Sequence, residues 1–161
     1  THVHSARTTL LLDDSPRKAH LQPYNHVCIR EYDASLRRAD LEVLHAAREE
    51  ERARKEDEEE RARKEDGEQR ARTRDDEAGT YDATLLAVVG VLDAVRAESN
   101  VAGWIRRGGL WGPRRGEIGG GTGDLAGKMW FEDARVMEYW AQRGRAALER
   151  LGIPVEHGVE S

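Results

Sequence analysis

The sequence predicts an α/β chain: the closing segment of a parallel sheet, then a long charged helix and a helical tail. Three observations predict this. Two β-favouring runs, Thr8–Leu12 and Val27–Tyr32, flank a Ser15-Pro16 helix start, which is the strand–helix–strand pattern of a parallel unit. Next, 24 of the 30 positions from 48 to 77 are charged. Beyond them, apolar residues recur twice at helical spacing.

Each element has a local reason. Thr8-Thr-Leu-Leu-Leu12 is continuous in apolar character, as suits a strand buried on both faces, and it ends at Asp13-Asp14. Pro16 sits near the first position of a short helix running to about Leu21, and Pro23 stops it. Val27–Tyr32 is the second strand. A helix from about Leu36 enters the charged stretch, with Leu36, Leu41, Leu44 and Ala47 as its only core face. Leu85, Val88, Val89, Leu92 and Val95 mark a further helix, with Asp82 as candidate N-cap. Another starts at Asn100, with Val101, Trp104 and Ile105 apolar. Residues 108–123 are glycine-rich and read as a loop. A last helix, Glu132 to Leu151, carries Val136, Met137, Trp140, Leu148 and Leu151. Gly152 and Pro154 end it.

Composition bounds the function. The chain has 161 residues, enough for one domain or slightly more. Lys+Arg is 26 against Asp+Glu 31, a net charge of -5, which argues against a nucleic-acid binder held by a basic field. One cysteine, Cys28, forms no intramolecular disulfide and makes a cysteine metal cage unlikely. No run approaches the roughly 18 apolar residues of a membrane span. Residues 1–7 do not form a signal peptide. The first residue is Thr1, so the expectation is the back end of a longer protein.

The charged stretch is a repeat. Glu51-Arg-Ala-Arg-Lys-Glu-Asp57 recurs as Glu60–Asp66, a period of nine residues. Nine residues bring copies to opposite helix faces, so Ala53, Ala62 and Ala71 build no stripe and no heptad seam. Opposite charges at i,i+4 do recur, as in Glu50–Arg54, Glu51–Lys55 and Asp57–Arg61. They support a solvated helix. The plain reading is a low-complexity insertion; the functional one is a rod that contacts a protein partner.

The chemistry concentrates at Asp13-Asp14. Ligands in α/β sheets bind beyond the carboxyl ends of strands. Two adjacent carboxylates there repel each other and call for a cation or hydrogen-bond donors. An oxygen-only pair suits Mg²⁺, which uses one or two protein carboxylates and keeps several waters. Asp-Asp-Ser before a helix is also a simple capping turn.

The wider segment weighs further. The run from Thr9 to Tyr32, with its strand into Asp13-Asp14, then Ser15, then Gln22-Pro23-x-Asn25 and a second strand, resembles the end of the NLI-interacting-factor-like phosphatases. These form the CTD-phosphatase branch (FCP1 homology domain) of the haloacid dehalogenase superfamily. Residues 85–110, including Ser99–Leu110, are similar to the tail of fungal members. The insert and the last fifty residues carry no resemblance. The resemblance implies the C-terminal part of a haloacid-dehalogenase-like parallel sheet, Mg²⁺ as cofactor and a phosphoprotein substrate for the parent protein. It makes Asp14 a metal ligand and Asp13 a support of the metal site. The implied chemistry is phosphoryl transfer to an aspartate, then hydrolysis.

The chain departs from that pattern. It contains no Asp-x-Asp, so the nucleophile motif is missing and no catalytic residue is assigned. Lys18 follows the acidic pair, out of order for the phosphate-binding lysine, and reads as a helix-surface residue. Without the nucleophile strand, Leu10–Leu12 would lie on an uncovered edge. The expected function is therefore a fragment of a Mg²⁺-dependent protein serine/threonine phosphatase, inactive alone. The alternative is a non-catalytic relative, such as the presequence-receptor subunit of the mitochondrial inner-membrane translocase, whose Gln-Pro-Tyr-Asn segment is similar to Gln22–Asn25. The expected organisation is 1–47 phosphatase-like, 48–79 charged insert, 80–107 helices completing the first part, 108–131 glycine-rich loop and 132–161 helical tail.

Other constellations are weaker. Gly121–Ala126 fits a loose dinucleotide turn but follows no strand, and Gly127-Lys128 resembles only the end of a P-loop. Arg106-Arg107 and Arg114-Arg115 bracket Leu110–Pro113, a basic patch with an aromatic that could meet phosphopeptide or RNA; a solvated loop explains it as well. His2, His4, His20, His26, His45 and His157 show no metal spacing and read mostly as surface residues. Cys28 reads as a small buried hydrophobe.

Overall fold

The structure is a computed structural model that describes residues 4–64, 81–117 and 128–155. Among the described residues the chain is mainly helical with one small parallel sheet. Its contacts divide it into two compact units: residues up to Glu31 together with Ala83–Glu156, and Tyr32–Asp82 with the last five residues.

In the first unit, β1 (Leu11–Asp13) pairs in parallel with β2 (His26–Cys28), Leu12 opposite Val27 and Asp13 opposite Cys28. The crossover is two 3-10 turns, Pro16–Ala19 and Pro23–Asn25, so Pro23 opens a turn as well as ending one. Each proline begins its turn, where its missing N–H costs nothing. The expectation that β1 is buried on both faces is overturned: Leu12 is 43% exposed, because β1 pairs only with β2 among the described residues. Leu10 packs partly on the core. The buried Asn25 explains the Gln-Pro-Tyr-Asn segment physically. Its amide donates to the carbonyls of Ala6 (2.5 Å) and Thr9 (2.8 Å), pinning the chain that enters β1.

The core is built on tryptophan. α2 (Thr84–Val95) packs against α4 (Ala134–Arg150), and α3 (Val101–Arg106) stands between them in sequence. Trp104 and Trp140 meet edge to face at 6.1 Å. The Trp140 indole donates to the carbonyl of Leu110 and the Trp130 indole to that of Cys28, each at 2.7 Å, so both rings bury without an orphan donor. Asn100 caps α3 by accepting from the Gly103 amide, and Asp133 caps α4 by accepting from Arg135 and Val136.

The α2 and α4 faces are rotated from the predicted stripes. Thr84, Ala87, Val88, Gly90, Val91 and Val95 are buried on α2, while Leu85 is 71% exposed. On α4 the buried set is Val136, Trp140, Ala141, Gly144 and Ala147, and Leu151 is exposed. The reason is close approach. A Cβ at Gly90 would collide with the Trp140 carbonyl, and one at Gly144 with that of Leu86. Small residues mark this interface, and bulk alone misplaces it. Asp82 does not cap α2, whose N-cap is Ala83. Nor is the start of the glycine-rich segment a plain loop: Gly109–Glu117 forms 3-10 turns kinked at Gly112, where φ is 51° and glycine is favoured.

In the second unit, α1 (Ala34–Lys64) runs without a break from the predicted helix start into the charged stretch. Asp33 caps it, accepting from the amides of Ser35 and Leu36. Leu36, Leu41, Leu44 and Ala47 are half-buried, and the buried residue is Asp40. Its carboxylate accepts from the Tyr32 hydroxyl at 3.0 Å and the Asp82 amide at 2.9 Å, holding the two flanks of the insert together. Burial, then Asp40, push the Tyr32 phenol up. Lys55 reaches Glu51 at 2.6 Å as expected, while Arg54 turns to Glu58 at 3.7 Å.

Candidate metal centre

The carboxyl end of β1 delivers Asp13 and Asp14 beside the end of β2. The two side chains have different surroundings. Asp13 is held locally: its Oδ1 accepts from the Ser15 amide and its Oδ2 from the Lys18 ammonium, both at 2.8 Å. The Pro16–Ala19 turn brings Lys18 back over the strand end. Lys18, then the Ser15 amide, hold the Asp13 carboxyl below the usual range, and Asp13 raises Lys18 in return. Lys18 is at the surface, as predicted, but it is also the partner of Asp13. The signal was available: a lysine five residues past an aspartate across a Ser-Pro turn.

Asp14 is exposed. Its backbone carbonyl lies 3.7 Å from the Cys28 thiol. Cys28 is buried, as expected, and burial, then Asp13 and Asp14, push its thiol up. That environment disfavours a thiolate nucleophile. His26, expected at the surface, is buried, and its ring nitrogen lies 3.1 Å from the Asp13 carbonyl. With the Ile29 amide, which donates to the same oxygen at 3.1 Å, it anchors the backbone under the acidic pair.

A cleft of about 310 Å³ lies alongside, lined by Pro16 and Ala19 after β1, Cys28 at the end of β2, and Tyr24, Trp111 and Trp130. Its walls are mostly apolar.

Among the described residues, no group of three or more His, Cys, Asp or Glu could hold a metal ion. The acidic pair offers one exposed carboxylate, Asp14, and one already paired, Asp13. Asp13 would first have to give up Lys18.

The basic patch is exposed at Arg106 and Arg107 and partly covered elsewhere. Arg114 pairs with Asp133, Arg106 lies over the Tyr24 ring at 5.8 Å, and Trp111 is buried. Burial raises the Asp133 carboxyl, but the Val136 amide and Arg114 outweigh it and hold it below the usual range. The dinucleotide-like turn at 121–126 lies outside the described residues, as do His2 and His157. No helix among the described residues is long and apolar enough to cross a membrane. No protein-family model, curated protein or solved structure matches the chain.

Proposed function

We propose that residues 8–32 are the metal-binding closing segment of a Mg²⁺-dependent protein serine/threonine phosphatase fold of the haloacid dehalogenase type. One observation carries this reading. At the carboxyl end of a strand in a parallel pair, Asp13 is satisfied by its own chain and Asp14 is left exposed. That is the division of labour the resemblance implies, with Asp14 as ligand and Asp13 as support.

The chain's residues do three things. The Ser15 amide and Lys18 fix the Asp13 carboxylate. His26 and the Ile29 amide hold the backbone beneath it. Asp14 is the exposed member of the pair. Magnesium, when bound, would offset charge between a phosphate and the attacking carboxylate. The 161 residues contain no Asp-x-Asp, so these residues alone form no aspartyl-phosphate.

The test is phosphatase turnover in a form of the protein that carries an Asp-x-Asp-x-Thr segment upstream. Asp14→Ala abolishes Mg²⁺-dependent phosphate release on this reading, and the 161 residues alone give none. Activity equal to wild type in Asp14→Ala and Asp14→Asn removes the metal role. The second reading, a non-catalytic interaction module of the same fold, is favoured by the missing Asp-x-Asp. It predicts no turnover from any form of the protein.

A further inference from the structure

We infer that residues 33–81 are a self-closed insertion that the tryptophan-cored unit hosts without depending on it: the buried carboxylate of Asp40 ties the two ends of the inserted stretch together, and a duplicated joint lets the chain run past it. This goes beyond the phosphatase reading above and stands whether or not that reading holds.

The joint is written twice. Tyr32-Asp33-Ala34-Ser35-Leu36 recurs as Tyr81-Asp82-Ala83-Thr84-Leu85, and each copy opens a helix, α1 at Ala34 and α2 at Thr84. Removing residues 33–81 therefore creates no new kind of local sequence. Glu31-Tyr32 continues into Asp82-Ala83-Thr84-Leu85, as it now continues into Asp33-Ala34-Ser35-Leu36. The core is sewn across this gap. Its buried cluster takes Val27 from before the stretch and Ala87, Val91, Trp104 and Trp140 from after it, and no described residue from 32–82. Two bonds join the same two sides: the Trp130 indole donates to the Cys28 carbonyl at 2.7 Å, and the Val101 amide to that of Arg7 at 3.0 Å.

The inserted stretch closes on itself instead. Asp40 is 6% exposed, and its two oxygens go to opposite ends: Oδ2 accepts from the Tyr32 hydroxyl and Oδ1 from the Asp82 amide. Leaving a buried carboxylate without one of its donors is costly, so the two ends are held as a pair. A segment whose ends are already joined adds little loop-closure entropy to its host. Arg30 and Glu31 are exposed and lie in neither helix nor strand, so they can take up the change of path when the stretch is removed. Asp82, released from Asp40, then stands before Thr84 and Leu85 as Asp33 stands before Ser35 and Leu36, the position from which Asp33 caps α1. In the full chain α2 has no such side-chain cap.

The experiment compares the full chain with one lacking residues 33–81. All four tryptophans, Trp104, Trp111, Trp130 and Trp140, lie outside the stretch, so tryptophan fluorescence reports the core alone. The shortened chain should keep the Trp130 and Trp140 indole N–H resonances at their full-length shifts. Its chemical unfolding midpoint should equal or exceed that of the full chain. In the full chain, Asp40→Ala should raise amide hydrogen exchange at Asp82 and in the first turns of α1 about tenfold and leave the tryptophan midpoint where it was. A shortened chain that is unfolded, or whose midpoint falls, shows that the core depends on the stretch and overturns the inference. A tryptophan midpoint lowered by Asp40→Ala overturns it from the other side. Exchange unchanged by that substitution removes Asp40 as the tie between the ends.

Discussion

The tryptophan-cored unit and the outer turns of α1 obey opposite rules. The first is held by rings of Trp104, Trp130 and Trp140 that bury almost completely and by two helices close enough that only glycine fits at the crossing. The second is held by charge: Glu51–Lys55, Arg52–Glu56 and Arg54–Glu58 pair along a face open to water. Burial makes the first region intolerant of single atoms. Screening makes the second indifferent to whole side chains.

Substitutions sharpen that contrast. Trp140→Ala removes the largest fully buried side chain and its bond to Leu110. It should cost about 3–5 kcal/mol by chemical denaturation. Gly90→Ala drives a methyl group into the Trp140 carbonyl. Against the roughly 1 kcal/mol that alanine gains in helix propensity, it should still lose about 1–3 kcal/mol. A stabilised Gly90→Ala protein would show that the crossing relaxes freely. Asp133→Ala removes the α4 cap and should cost about 1 kcal/mol, with Asp133→Asn losing less. At the other extreme, Glu56→Ala or Arg52→Ala should leave the unfolding midpoint of the core unchanged, and a measurable shift would break the comparison.

Acid acts on both regions, since Lys55 also holds the Glu51 carboxyl on α1 below its usual range. Asp13, Asp93 and Asp133 all lie below the ordinary carboxylate range in the fold. For Asp93, burial acts upward, but Arg150, Arg143 and Arg96 outweigh it. A lowered folded value means stability that is present above the unfolded value near pH 4 and is lost as pH falls through the folded one. Unfolding midpoints should hold from pH 6 to about 4.5 and then decline. A midpoint that rises on acidification would contradict these pairings.

What was legible in the sequence was local and periodic. The short helix begun at Pro16, the parallel strand pair, the helix start at Asn100 and the entry of α1 into the charged stretch all follow from neighbours in the chain. What was not legible depends on distant surfaces. The α2 face turns on Gly90 meeting Gly144, which no apolar count reveals. Buried Asp40 interrupts an otherwise apolar pattern because its partners are Tyr32 and Asp82, the latter 42 residues on. Of the site, the acidic pair was visible, but the pairing of Asp13 with Lys18 was not, because it depends on the turn after Pro16 bringing the lysine back. Asp13 and Asp14 look alike in sequence, and the Ser15 amide and the returning Lys18 distinguish them.

The most direct test of the central claim is where the first equivalent of Mn²⁺ settles on the folded chain. Amide broadening should begin at Asp14, Ser15 and Cys28 and vanish from those residues in Asp14→Asn. Broadening confined to the acidic turns of α1, or unchanged by that substitution, would contradict a metal centre at the end of β1.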